Sequence, residues 1–394
     1  MTIWFKGFFW RKIIEFKCQG ILIIFKEDSS ISYLNREFRI YLCRLISKII
    51  CGSDYKKYLN KITIFLTNER GKSYRYNSDF PVSNLIQFSE GKVDMGLLEK
   101  GVANIIINVD NVWANILDIL RSKNVPLTKD INETYERNKA MIQKILSEIL
   151  NEAVLHELFH NVQFYIESKQ KELHRLGSKY LSAIKWHNKI WLSFLMQIKR
   201  FNFSLAYIYI RKFIAELIDI IKVEGEAKFF SETKTFELDM RSIEREYKFG
   251  LEDAKLIQRE MDRILDMLES MINEAIKQSK NKPFLSQKQK RKEIEKYFIM
   301  HFNISEISNL GKKIHSQLYQ IGASMIQCIL FVLGEYDLHK IVKLSSRKLV
   351  LAYEIACQEL KIIPLVTYDG DGIFDVKRNI RRLVRLKHQL RKLP

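Results

Sequence analysis

The chain has little of what breaks or cross-links a fold: 5 Pro, 15 Gly and 5 Cys in 394 residues. So few prolines and glycines exclude collagen-like and low-complexity chains, and a hydrophobic fraction of 47% excludes a wholly disordered one. Cys18, Cys43, Cys51, Cys328 and Cys357 form no CxxC pair, and their odd number argues against a complete disulfide framework. Reduced thiols and a cytoplasmic setting are therefore expected. No run reaches the ~18 apolar residues of a membrane span. The nearest approach, Ile321 to Leu333, is shorter and contains Gln327. Lys6, Arg11, Lys12 and Lys17 interrupt the apolar N-terminal clusters, and no small-residue cleavage site follows, so the start does not read as a signal peptide.

Positive charge is what the chain has in excess: 65 Lys+Arg against 46 Asp+Glu, a net +19. Its location matters more than its size. Residues 1–50 carry nine basic and four acidic groups, residues 277–296 eight and two, and residues 375–394 eight and one. These three segments hold all but one unit of the excess, so the body of the protein is nearly neutral. The final segment places Ile380, Leu383, Val384, Leu386 and Leu390 among its cations, the composition of an amphipathic helix. An anionic partner, nucleic acid or membrane surface, is expected to engage 277–296 and 375–394. A helix docked on its own protein by the apolar face is the competing expectation.

Periodicity divides the chain into a short β region and a long helical one. Ile21 to Phe25 reads as a strand and Leu34 to Ile50 as a helix. KITIFLTNE from 61 alternates, VANIIINVD at 102–110 reads as a more buried strand, ERGKSYRYNSDFP between them as a polar loop, and Val112 to Leu120 as a short helix. From Ile131 onward nearly everything is helix-compatible. TYERNKAMIQKILSEILNEAVLHELFHNVQFYIES is one long candidate, 174–223 is aromatic-rich helix and 236–278 long and charged. Pro283 marks a break in a basic connector, helices follow over about 308–333 and 335–360, and VTYDGDG is a turn. The fold class expected is α+β, predominantly α-helical, with a small β-sheet before the long helix.

That helix carries HELFH, with His156, Glu157 and His160 in the HExxH pattern. Four residues make just over one helical turn, so both imidazoles project from one face at the separation that binds a single zinc ion. Glu157 stands beside them, placed to take a proton from water and return it to a leaving amine. Val154, Leu155, Leu158 and Phe159 supply apolar surface to bury the helix. A catalytic zinc needs a third protein ligand. A third His at 166 after Gly at 163 is excluded by Gln163 and Ile166, whereas IIKVEGEAKFFSE supplies two glutamates, Glu224 and Glu226, flanking Gly225. Small residues there allow this helix to approach the HExxH helix closely.

HELFHNVQ at 156–163, EGEAKFF at 224–230 and YQIGASMIQCILFVLGEYDLHKIV at 319–342 together resemble the landmarks of gluzincin metallopeptidases of the peptidase MA-like type. The resemblance spans roughly 100–345. It implies a zincin-like core, with His156, His160 and Glu224 as zinc ligands, Glu157 as general base and Tyr319 as a stabiliser of the oxyanion. It also implies that the strand before the active helix is the sheet edge lining the substrate cleft. Glu226 rivals Glu224, and His301 and His315 rival Tyr319. Lys228 stands where the pattern puts an acidic partner, so another group has to orient a histidine.

The organisation expected is a basic N-terminal region 1–60 and a catalytic region 61–345 with a helical insertion 165–223 and the connector 277–296. C-terminal helices 346–394 end in the basic tail. The function expected is a zinc-dependent peptidase acting on a protein or peptide substrate. The alternatives are a narrowly specific toxin or maturation protease and an inactive zincin scaffold that binds an anionic or protein partner. The aromatic run Tyr180, Trp186, Trp191, Phe194, Phe201, Phe203, Tyr207 and Tyr209 suits a core or an apolar channel, and Asp369 to Gly372 a plain turn rather than a calcium loop.

Overall fold

The computed structural model of the protein describes residues 11–27, 29–68, 86–88, 102–168, 203–232, 236–281, 284–286, 288–290, 292–293, 296–297, 304–334 and 337–390. The chain divides into two compact units, Met1–Arg175 and Leu176–Pro394.

The first unit is built on a five-stranded sheet of β1 Arg11–Cys18, β2 Ile21–Glu27, β3 Lys61–Thr67, β4 Ile86–Phe88 and β5 Val102–Asn108, in the order β1-β2-β3-β5-β4. Cys18 pairs with Ile21 across a two-residue turn in which Gln19 (φ 45°) and Gly20 (φ 89°) both adopt positive φ, the geometry that matches strand twist in a tight hairpin. β2, β3 and β5 run parallel, with Phe25 opposite Ile64 and Ile64 opposite Ile105. All three side chains are buried, as in a sheet covered by helices. Residues 11–27, within the expected basic N-terminal region 1–60, belong to the same sheet as β3.

β4 is antiparallel to β5. This corrects one expectation: β5, read as the edge strand, is paired on both sides, and the edge next to it is β4. A strand of three residues is too short for its apolar–polar–apolar order to stand out, so periodicity passes over it.

Helices pack on this sheet. α1 Arg36–Gly52 is capped by Asn35, whose side chain accepts from Glu37 N–H, and buries Phe38, Leu42, Ile46 and Ile50 at four-residue spacing. α2 Val109–Ser122 follows β5 without a loop. The Phe38 ring meets Trp113 of α2 and Tyr135 of α3 Ile131–Arg137 edge-on, at 5.4 and 5.2 Å. The buried Glu27 carboxylate is held by Arg39 and Arg11. Cys18 and Cys51 form a disulfide, against the expectation of reduced thiols, because β1 and the end of α1 bring their Cα atoms to 6.0 Å. Cys43, Cys328 and Cys357 are free and buried.

The expected continuous helix from Thr134 breaks at Asn138, and α4 Lys139–Ser168 then packs against α1, β4 and β5.

The second unit is helical: α5 Phe203–Ser231, α6 Met240–Lys280, α7 Ile304–Leu333, α8 Leu338–Val342, α9 Ser346–Leu360 and α10 Val376–Leu390, with β6 Val366–Thr367 parallel to β7 Phe374–Asp375. The end of the expected insertion is thus the first part of α5, the helix that carries Glu224.

α5 and α7 cross in backbone contact at Gly225 and Gly322, where a Cβ on either would overlap the other's main chain. The small residue at 225 serves this crossing. α7 is tied to α6 by polar contacts: Ser324 Oγ donates to the Glu246 carbonyl (2.9 Å) and Gln327 Nε2 to Ser242 Oγ (2.9 Å). No helix among the described residues is long and apolar enough to cross a membrane.

Candidate metal centre

In α4, Val154, Leu158, Phe159, Val162 and Ile166 form a fully buried stripe, and the Phe159 ring packs edge-on against Tyr55 at 5.3 Å. Leu155 is only half-buried. The stripe fixes the rotation of the helix and leaves His156, Glu157 and His160 half-buried at its margin.

The two imidazoles stand perpendicular, and their Nε2 atoms are 3.2 Å apart. Two nitrogens bound to one tetrahedral zinc at about 2.0–2.1 Å lie about 3.3 Å from each other. The pair therefore already has the bite that a single ion requires. Nδ1 of His160 is 2.8 Å from Oε1 of Gln163. Gln163, at 0% exposure, is as buried as the leucines around it.

The other expected site residues belong to the second unit. Glu224 is buried on α5, and so is Glu226. Lys222, one turn before Glu226 on the same face, pairs with its carboxylate at 3.1 Å and donates to the Val342 carbonyl at 3.2 Å. Glu224, two residues from each, lies about 200° around the helix from that ion pair.

Lys228 is engaged by Glu232 at 2.8 Å and lies over the Phe236 ring, so its position holds a cation neutralised within the unit. Tyr319 is half-buried on α7, one turn before the Gly322 crossing. His301 lies outside the described residues, and of His315 only the backbone in α7 is described. Tyr180, Trp186, Trp191, Phe194 and Phe201 likewise lie outside them, and Phe203, Tyr207 and Tyr209 are described only as backbone of α5.

The basic tail is partly neutralised where it folds. α10 packs on α5 and α6 with Leu383 and Leu386 buried, and Asn379 and Gln258 exchange buried hydrogen bonds of 3.1 and 3.2 Å. Arg382 pairs with Asp262 at 2.7 Å and with Asp266, while Lys377 and Arg381 both reach Asp369. Asp369 to Gly372 is accordingly a turn tied to α10.

The contact between Gln163 and His160 is not foreseen in the sequence. In the linear pattern Gln163 does no more than rule out a third histidine, although its position three after His160 puts it on the same helical face. Compared with known protein families, with curated proteins and with solved structures, the chain matches none.

Proposed function

We propose that the protein is a zinc-dependent peptidase of gluzincin type, with His156, His160 and Glu224 as zinc ligands. The observation that carries this reading is the 3.2 Å separation of the two Nε2 atoms beside Glu157. The donor chemistry supports it as well: among the described residues, His156, His160 and Glu224 are a set of type and number that could hold a metal ion. Two neutral nitrogens and one carboxylate are a catalytic zinc set with a position left for water. The Lys222 pairing of Glu226 favours Glu224 over its rival. A sheet whose antiparallel edge strand β4 packs against α4 suits a zincin-like core.

Zinc bound there would supply the electrophile that acidifies water and polarises a peptide carbonyl. Glu157 takes the proton of the attacking water as its oxygen bonds to the carbonyl carbon. As the C–N bond breaks, the carboxyl returns that proton to the leaving nitrogen. The Tyr319 hydroxyl donates a hydrogen bond to the oxyanion that develops between these events.

The test is metal content beside turnover. Purified protein is expected to hold one zinc per chain, lost in Glu224→Ala and kept in Glu157→Gln. The latter should abolish hydrolysis of a peptide library. Full turnover in Glu157→Gln, or zinc lost from Glu226→Gln and not from Glu224→Ala, refutes the assignment.

The alternative, a scaffold gripping a polyanion through 277–296 and 375–394, draws on less free charge than the composition implies, because Arg382, Lys377 and Arg381 are already paired. Arg385 and His388 remain exposed on α10. This reading predicts binding that weakens steeply with salt and ignores chelators.

A further inference from the structure

We infer that Gln163 is the positioning residue of the metal centre: its side-chain carbonyl accepts the Nδ1 proton of His160 and so turns a bare Nε2 lone pair toward Nε2 of His156. The inference deepens the zinc reading and, as a statement about the histidine, can be tested apart from it.

The argument starts from burial. Gln163 lies at 0% exposure in a stripe otherwise made of Val154, Leu158, Val162 and Ile166. A buried carboxamide is costly unless it is hydrogen-bonded, whereas leucine at the same place would simply pack. What glutamine adds is an oxygen 2.8 Å from Nδ1 of His160.

A neutral imidazole has one N–H and one lone pair. An acceptor at Nδ1 therefore puts the proton there and leaves Nε2 unprotonated, the form that ligates a metal. The other orientation of the amide would present N–H to Nδ1, force the proton onto Nε2 and direct an N–H into the 3.2 Å gap beside His156, closing it to an ion.

Metal-binding histidines commonly hand the second nitrogen to a carboxylate or carbonyl, which fixes ring and tautomer together. Lys228 cannot serve as such an acceptor, and it is occupied by Glu232. Gln163 does it from within α4, one helical turn from the ring it holds. Because the amide is neutral, it fixes the tautomer without adding negative charge to the site.

The experiment uses the full chain in three forms: wild type, Gln163→Met, which keeps size and loses the acceptor, and Gln163→Glu, which keeps it. Nitrogen-15 shifts of His160 in metal-free protein report the tautomer, and competition with a chromophoric chelator reports zinc affinity. Circular dichroism checks that all three fold.

Wild type and Gln163→Glu should show the Nδ1–H form, and Gln163→Met a mixture. Zinc should bind about 10–100-fold more weakly to Gln163→Met and at least as tightly as wild type to Gln163→Glu. An Nε2–H tautomer in wild type, or unchanged zinc affinity in Gln163→Met, overturns the inference. If wild type binds no zinc yet keeps His160 in the Nδ1–H form, the positioning role stands and the zinc reading falls.

Discussion

Gly322→Ala tests the central packing event of the second unit. In a helix interior alanine is favoured over glycine by about 1 kcal/mol, so on propensity alone the change stabilises. The geometry opposes it: a Cβ at 322 would lie 2.6 Å from Gly225 Cα and closer still to the Ile221 carbonyl oxygen. Ordinary carbon contacts need about 3.5–4.0 Å, so the helix axes would have to part by about 1 Å. The obstructing atoms are main chain on both helices, so no rotamer change relieves the clash. Overpacking of this kind costs about 1–3 kcal/mol, and rigid backbone places this case at or above the upper end.

The net expectation is a loss of about 2 kcal/mol, or about 4–8 °C in the thermal midpoint of a unit this size. Gly250→Ala is the control. The atoms a Cβ would meet there are Leu365 Cδ1 at 2.8 Å and Ser324 Oγ at 3.1 Å, side chain rather than main chain, and displacing Ser324 from the Glu246 carbonyl offsets the gain in propensity. Its effect should stay within about 1 kcal/mol of zero. Far-UV circular dichroism melts of both variants and of Gly225→Ala make the comparison. A Gly322→Ala protein as stable as wild type would show that propensity wins and that α5 and α7 are not in backbone contact.

Three further outcomes follow from pairings within the second unit. Lys222→Met, which removes a cation paired with the Glu226 carboxylate at 0% side-chain exposure, should cost about 3–5 kcal/mol in urea unfolding, and Lys222→Met with Glu226→Leu should recover much of it. Arg382→Ala should weaken the docking of α10 by about 1–2 kcal/mol at low salt and by less at high salt, measured as protection of α10 from proteolysis. Asp253 is half-buried, and desolvation, with Glu252 adding to it and Lys228 opposing it, pushes its carboxyl up to about 6. Its folded value lies above its unfolded one, so the neutral form favours folding, and that contribution is lost as pH rises from about 4 through 6. Asp253→Asn should therefore be the more stable protein at pH 7, by about 1 kcal/mol after allowing for solvent screening, and equal to wild type below pH 4. Denaturation midpoints across that range check the sign.

Elements with strong periodicity are legible in the amino-acid order alone. The alternation of KITIFLT is β3, the four-residue apolar spacing from Phe38 to Ile50 is α1, and HELFH sits on a helix with its imidazoles on one face. Elements defined by pairing are not. β4 is too short to carry a pattern, and the place of β5 inside the sheet depends on β4 being beside it. The partner of Gly225 was expected to be the HExxH helix, but Gly322 occupies the contact, because a glycine announces that something comes close and not what.

Local sequence determined the helical character and the two histidines one turn apart with Glu157 between them, because a helix converts spacing into direction with no help from the rest of the chain. Tertiary structure decided the rest. It buried Gln163 beside His160 and Glu226 beside Lys222, pairs that helical spacing alone sets side by side, and it spent part of the basic tail on Asp262, Asp266 and Asp369. The physical reason is the same in each case: the role of a polar side chain is set by which partner satisfies it once water is removed, and burial of that kind is a property of the packed chain.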